Sequence, residues 1–217
     1  MPSSSSQPDS RQRIADAAER IIRADGVERL TMRRLSEEAG VALKTPYNIY
    51  GSKTGVLIVL LETAIAPLIA DLDQAGDGPK ILKLMDILEK TRVTFAPDES
   101  FFRGVFWEIM TSDHPEARAA AHGRIVHIVV TQVAKVKDAG EIRDDIVPEV
   151  FGGQLGLNLL ANMGSWAGGH LSIADAMLHT KAVWTSLIRG VAAPGSLPVV
   201  DEIQNAAQLA LLALDMP

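Results

Sequence analysis

"TMRRLSEEAGVALKTPYNIYGSKTGVL", residues 31–57, decides how the rest of the chain reads. Both tyrosines of the chain, Tyr47 and Tyr50, lie in it, beside Lys44, Thr45, Asn48 and Lys53. Thr31 is placed to cap a helix over Met32–Ala39, because its hydroxyl can accept from a free first-turn amide. Gly40 ends that helix. A second short helix spans about Lys44 to Tyr50, and Gly51-Ser52 breaks the chain, with Ser52 able to cap the next helix. Upstream, Ile14, Ala17, Ala18, Ile21 and Ile22 recur at the spacing of one buried helical stripe, closed by Asp25-Gly26. Three helices, the last two short and joined by the tight turn "EAGVAL", outline a helix-turn-helix. In that arrangement the second helix of the pair enters a DNA major groove and exposes Lys44, Thr45, Tyr47 and Asn48. Lysine neutralises phosphate, hydroxyls donate to phosphate oxygens, and asparagine can pair bidentately with adenine. Lys53 stands at the start of the next helix, where free amides also attract anions.

Charge is distributed to match. The chain has 217 residues, 47% apolar, and a net charge of −6. Residues 1–55 hold nine Lys and Arg against seven Asp and Glu, whereas residues 56–217 hold twelve against twenty. The basic excess therefore sits in the N-terminal quarter, an asymmetry that points to an anionic partner for that segment. There are no cysteines, which excludes disulfides and thiolate metal sites and fits a cytoplasmic setting. Residues 1–10, rich in Ser and Pro, read as a disordered tail without an apolar signal core. The longest apolar run, Val56–Ala70, is broken by Glu62, Thr63 and Pro67, and is read as too short and interrupted to span a membrane.

The remainder reads as helix after helix. A long fourth helix to about Ala75 is expected to kink or end at Pro67. Further helices are expected over about 80–95, 99–111, to 139, 148–166, to 191, and 199–214. Asp113 with Glu116 and Ser172 with Asp175 have the spacing of capping boxes. No strand or repeat stands out, so the fold class is all-α: a disordered tail (1–10), an N-terminal three-helix helix-turn-helix domain (11–52), and a larger C-terminal helical bundle (53–217).

The opening stretch resembles the helix-turn-helix of the TetR (tetracycline-repressor) family of bacterial transcriptional regulators. The matching features are Thr31, Ala39-Gly40-Val41, Tyr47, Ile49-Tyr50, Ser52-Lys53 and Leu57. The resemblance implies phosphate contacts for Thr31, Tyr47 and Lys53, groove-facing positions for Lys44, Thr45 and Asn48, and an inward aromatic at Tyr50. Pro46 and Ile49 depart from the family pattern, which has an aliphatic residue and a His-like polar residue there. Proline suits only the first turn of a helix, so the recognition helix must start near Thr45 or approach at a different angle. Arg33 and Arg34 are DNA candidates that fit a solvated face equally well, as do Arg11 and Arg13. The family further implies a homodimer, operator DNA as partner, and a small-molecule effector in the C-terminal domain.

That domain supplies candidates rather than a motif. Phe102, Phe106 and Met110 belong to an apolar stripe that reads as core or as part of a cavity wall. Gln154, Asn158 and Asn162 recur every fourth residue in an apolar, glycine-rich helix that ends at Trp166; buried polar groups there need partners in a ligand, a second copy or water. Gly152-Gly153, Gly156 and Gly164 lower helix propensity and suggest close helix approach, as at a dimer seam. The resemblance places that seam on helices near 148–167 and 172–192. The five histidines form no metal spacing, and no catalytic or cofactor motif appears. The expected function is therefore a non-enzymatic, cofactor-free DNA-binding regulator, a repressor released by a small, largely apolar effector. The rivals are a helical carrier of a hydrophobic molecule and a helix-bundle adaptor.

Overall fold

The computed structural model describes residues 10–73 and 78–214. Ten α-helices make up the described residues: α1 Ser10–Asp25, α2 Met32–Ala39, α3 Lys44–Tyr50, α4 Lys53–Asp73, α5 Lys80–Phe95, α6 Glu99–Met110, α7 Pro115–Asp138, α8 Pro148–Ala167, α9 Ile173–Arg189 and α10 Leu197–Leu214. The only β pairing among them is one isolated bridge, Ile142 to Ala192. The fold is all-α, as the periodicity predicts. The expected tail falls on residues outside the described ones except for Ser10, which is helical. The end of α4 beyond Asp73 also lies outside them.

The helix ends follow local chemistry. Thr31 Oγ1 accepts from the Arg34 amide at 3.2 Å. Ser52 Oγ accepts from the Gly55 amide at 3.1 Å. Ser172 Oγ accepts from the Asp175 amide at 3.1 Å, the first half of the expected box, while the Asp175 carboxylate accepts from the Ser172 hydroxyl at 2.7 Å. The box expected at Asp113 is displaced: α7 starts at Pro115, and Ser112 Oγ accepts from the His114 amide at 3.1 Å. With proline as the first helical residue, the position before it is His114, so Asp113 stands one residue too early to be the cap. A further short 3₁₀ turn, Val27–Arg29, follows α1.

Among the described residues two compact units are formed, 10–64 with 100–118, and 65–73 and 78–99 with 119–214. In the first, the stripe Ile14, Ala17, Ala18, Ile21 and Ile22 of α1 is buried as predicted, with Leu35 of α2, Leu57 of α4 and Val105 of α6 among the other buried residues. The Arg23 guanidinium lies over the Phe101 ring at 4.6 Å, within cation–π range. In the second, α9 packs against α5, α8 and α10. Trp184 of α9 is fully buried and donates its indole N–H to the Leu155 carbonyl of α8 at 3.0 Å. The Glu141 carboxylate accepts from the Lys80 and Ile81 amides at 2.6 and 2.7 Å, satisfying free donors at the start of α5.

Three sequence expectations change here. α4 does not end at Pro67 but runs on to Asp73, and by length and composition Lys53–Leu72 is apolar enough to cross a membrane, with mean hydropathy 2.0. Counting from Val56 gives too much weight to Glu62, Thr63 and Pro67; they are too few to offset the surrounding Val, Leu and Ile. Val56, Leu57, Leu61, Leu68 and Leu72 of this helix are nonetheless buried within the protein. The glycines of α8 also need a different account. A Cβ at Gly152 would lie 2.7 Å from Val130 Cα, and one at Gly156 3.0 Å from Val126 Cα. Their close approach is to α7 of the same chain. Gly153 and Gly164 have nothing within 4 Å of such a Cβ.

Candidate nucleic-acid interface

α1, α2 and α3 pack on one another. The turn joining α2 to α3 is set by Gly40, whose φ of 62° is left-handed. Its amide bonds to the Glu37 carbonyl at 3.2 Å, and the Val41 amide bonds to the Ser36 carbonyl at 3.0 Å. This pair of bonds closes α2 and turns the chain sharply into α3. Pro46 is the third residue of α3 and is buried. A first-turn amide lacks an intrahelical partner anyway, so the proline costs no helical hydrogen bond. The helix starts at Lys44, in keeping with the requirement Pro46 imposes.

With Pro46 inward, Lys44, Tyr47 and Asn48 share the outward face, at the three-to-four spacing of one side of a helix. All three are exposed, Tyr47 to 51%. A large phenol left half in water is an unusual use of apolar surface and suits a surface contacted by another molecule. Thr45 is half-buried on the rim. Ile49 and Tyr50 are partly covered, and the Tyr50 hydroxyl donates to the Arg11 carbonyl at 2.8 Å, tying α3 to the start of α1. The Arg11 guanidinium stands 5.7 Å from the Tyr50 ring centre.

The other candidates are engaged within the protein. Arg33 pairs with Glu37 one turn on at 3.0 Å, with side chains 83% and 64% exposed. Arg34 pairs with Asp25 of α1. An exposed pair such as Arg33–Glu37 contributes little and exchanges partners readily. Lys53 pairs with Glu108 of α6 at 2.7 Å. Sequence reasoning had no means of finding Glu108, because pairing between distant helices leaves no spacing signal.

The C-terminal candidates separate. Phe102, Phe106 and Met110 are in the first compact unit, where Phe106 is buried and Phe102 meets Phe101 edge to face at 5.1 Å. Gln154, Asn158, Asn162 and Trp166 are in the second. Gln154 is exposed, whereas Asn158 and Asn162 are half-buried. Each four-residue step turns about 40° beyond a full helical revolution, so the three amides spread over about 80° of one side of α8, from exposed Gln154 to half-buried Asn158 and Asn162. Asn162 Nδ2 donates to the Asn158 carbonyl at 3.2 Å, and the buried Asn158 Oδ1 has no hydrogen-bond partner. Trp166 is fully buried, stacks on Phe95 at 5.6 Å and donates to the Glu99 carboxylate at 2.9 Å. The same unit has a groove of about 250 Å³ between α5 and α9, lined by Met85, Leu88, Met177, Leu178 and Lys181 among others. Sequence reasoning did not identify this groove. At its edge the Arg92 guanidinium grips Glu89 at 2.6 and 2.9 Å and, with Lys181 adding to it, holds that carboxyl below its usual range.

Comparison with known proteins agrees with this geometry. Residues 14–60 match the family model for bacterial regulatory proteins of the tetR family. The fold resembles Thermus thermophilus FadR, a TetR family transcriptional repressor in complex with lauroyl-CoA, with TM-score 0.71 and 21% identity over 85% of this chain and 97% of that one. It also resembles the fatty acid degradation regulator FadR of Bacillus halodurans, with TM-score 0.61 and 18% identity over 85% and 97% of the two chains. SmeT, the repressor of the Stenotrophomonas maltophilia multidrug efflux pump SmeDEF, gives TM-score 0.61 and 17% identity over 87% and 93%. The comparison with curated proteins gives no match. An outward polar and basic face on the second helix of a helix-turn-helix is the arrangement that enters a DNA major groove. Residues 14–60 match the TetR family's DNA-binding segment, and the chain as a whole shares the fold of TetR-family structures.

Proposed function

We propose that this regulator represses transcription by occupying an operator as a homodimer, and that a small, largely apolar effector bound within residues 53–217 releases it. The outward face of α3, with Lys44, Tyr47 and Asn48 exposed together, carries the reading. Residues 11–52 act as the DNA-binding domain. Thr31 and Lys53 contact phosphate at its edge, and Thr45, Arg33 and Arg34 complete the contact surface. Two copies of α3 then address successive major grooves about 34–36 Å apart, or a multiple of that.

The homodimer reading is supported by an unpartnered stripe on α8. Val150 is 64% exposed and Leu157 56%, with exposed Gln154 and Ala161 on the same side. Val183 and Leu187 of α9 are also exposed, at 40% and 42%. Pairing α8 and α9 with their copies would cover these side chains and remove apolar surface from water. We assign Gln154 to this seam. Leu157→Glu is expected to leave the fold intact and shift the protein to a monomer in sedimentation equilibrium. A dimer of unchanged strength would reject the seam.

Effector binding is supported by the buried, unpartnered Asn158 Oδ1, which asks for a donor that a ligand N–H or O–H can supply. Asn162 lies one turn on and is half-buried. The lauroyl-CoA carried by the Thermus thermophilus FadR structure is an example of a ligand with a long apolar part on this fold. Release follows by linkage: an effector that prefers a conformation with mismatched recognition helices lowers DNA affinity by its own preference. Such a protein works where the chromosome is, in the cytoplasm.

Lys53→Ala tests the DNA contact. It is expected to weaken binding to every duplex and to lower the salt slope by up to about one unit, the full unit being that of an unpaired lysine. Unchanged affinity together with an unchanged slope in a fluorescence-anisotropy titration would remove Lys53 from the interface. Self-association without any DNA affinity would favour the adaptor reading.

A further inference from the structure

We propose that Glu108 competes with operator phosphate for Lys53: it holds the lysine in the DNA-free protein, yields it on binding, and so lowers both DNA affinity and the salt dependence of that affinity. The proposal rests on the reading of the chain as a DNA-binding regulator with Lys53 at the phosphate backbone.

Four observations carry it, all within one compact unit. Lys53 Nζ lies 2.7 Å from Glu108 Oε1, with the two side chains 26% and 33% exposed. The pair is therefore wet enough to exchange partners, and a pair of this kind is worth little by itself. The acid comes from α6, outside the three-helix DNA-binding segment, so it is no accident of neighbouring turns. One helical turn beyond Glu108, Ser112 Oγ hydrogen-bonds Thr54 Oγ1 at 2.8 Å. Ser112 is itself held, because its carbonyl accepts from Arg118 at 2.9 Å and its hydroxyl accepts from the His114 amide at 3.1 Å. Two adjacent contacts thus hold the end of α6 against the first turn of α4, and they fix Glu108 beside Lys53.

The consequence is a matter of counting charges. A free cation that meets DNA neutralises a phosphate and releases a condensed counterion. Lys53 is already neutralised by Glu108 before it meets DNA. When phosphate takes it over, Glu108 is uncovered near a polyanion, where like charge opposes binding. The net gain from Lys53 is smaller than for an unpaired lysine, and fewer ions are released overall.

Glu108→Gln removes the charge and keeps the shape. The probe is a random-sequence duplex, because a phosphate contact does not depend on sequence. In a titration series over salt, Glu108→Gln is expected to bind about three- to tenfold tighter at low salt, with a slope steeper by up to about one unit and a difference that fades as salt screens it. Glu108→Asp, which keeps the charge, is expected to return toward the wild-type slope. Ser112→Ala, which loosens the same corner without altering charge, is expected to leave the slope unchanged. In a Lys53→Ala background the gain from Glu108→Gln is expected to fall by at least half. If Glu108→Gln melts too low to assay, Glu108→Ala read below its own melting temperature is expected to show the same sign. Equal or weaker binding by Glu108→Gln with parallel slopes would overturn the proposal and leave the regulator reading intact. If Lys53→Ala binds duplex as the wild type does, the phosphate role fails first and the proposal falls with it.

Discussion

Gly55→Ala is expected to disable DNA binding while changing a single methyl group. A Cβ at Gly55 would stand 2.0 Å from the Tyr50 carbonyl oxygen, far inside contact distance. The obstacle is backbone, so no side-chain rotation can relieve it. The chain doubles back there from α3 into α4 through Gly51, whose φ is 74°, and the Ser52 amide bonds to that same Tyr50 carbonyl at 2.8 Å. The added methyl must push α4 away from the end of α3 or unwind its first turn. Overpacking against a fixed backbone costs about 3 kcal/mol. The stronger effect is on function, because α3 would lose the anchor that sets its angle. Duplex affinity is expected to fall more than tenfold even below the melting temperature, since a misplaced recognition helix loses several contacts at once. Wild-type melting and wild-type affinity together would refute the close approach.

Trp184→Ala is expected to cost about 3–5 kcal/mol, the range for emptying a buried aromatic site. Trp184 is fully buried and ties α9 to α8 through its bond to the Leu155 carbonyl. The two helices it joins carry the proposed dimer seam, so loss of stability and loss of self-association are expected together. Trp184→Phe retains part of the volume and gives up the hydrogen bond, for about 1–3 kcal/mol. Denaturant unfolding measures the first effect and sedimentation the second. A Trp184→Ala protein within about 1 kcal/mol of wild type would mean that the α8–α9 contact is not where the second unit draws its stability.

How far these features are legible in the sequence depends on their range along the chain. The helices are legible because each carries its own period, and Thr31, Ser52 and Ser172 cap as their chemistry dictates. The recognition face is legible too, since the helix-turn-helix outline expects Lys44, Thr45, Tyr47 and Asn48 to be exposed and only Thr45 is half-buried; that Pro46 turns inward is seen in the structure alone. The failures involve distance in sequence or small errors of register. Asp113 misses the cap position by one residue. Gln154, Asn158 and Asn162 lie along one side of α8, but a drift of about 40° per step leaves Gln154 exposed and the other two half-buried. Gly152 and Gly156 signal close approach correctly, but which helix approaches them depends on the register of α7, which no local pattern records. Glu108 is invisible as the partner of Lys53 for the same reason. The apolar content of α4 gives no way to tell a helix packed within a protein from one packed in lipid.

The central claim is that two copies of α3 read one DNA sequence. It is tested most directly by incubating the purified protein with duplex fragments of genomic DNA over a salt series and sequencing the fragments retained. The account predicts recovery of a single near-palindromic site, bound more tightly than bulk DNA and progressively released as salt rises. Weak retention with no enriched sequence at any salt concentration would contradict it.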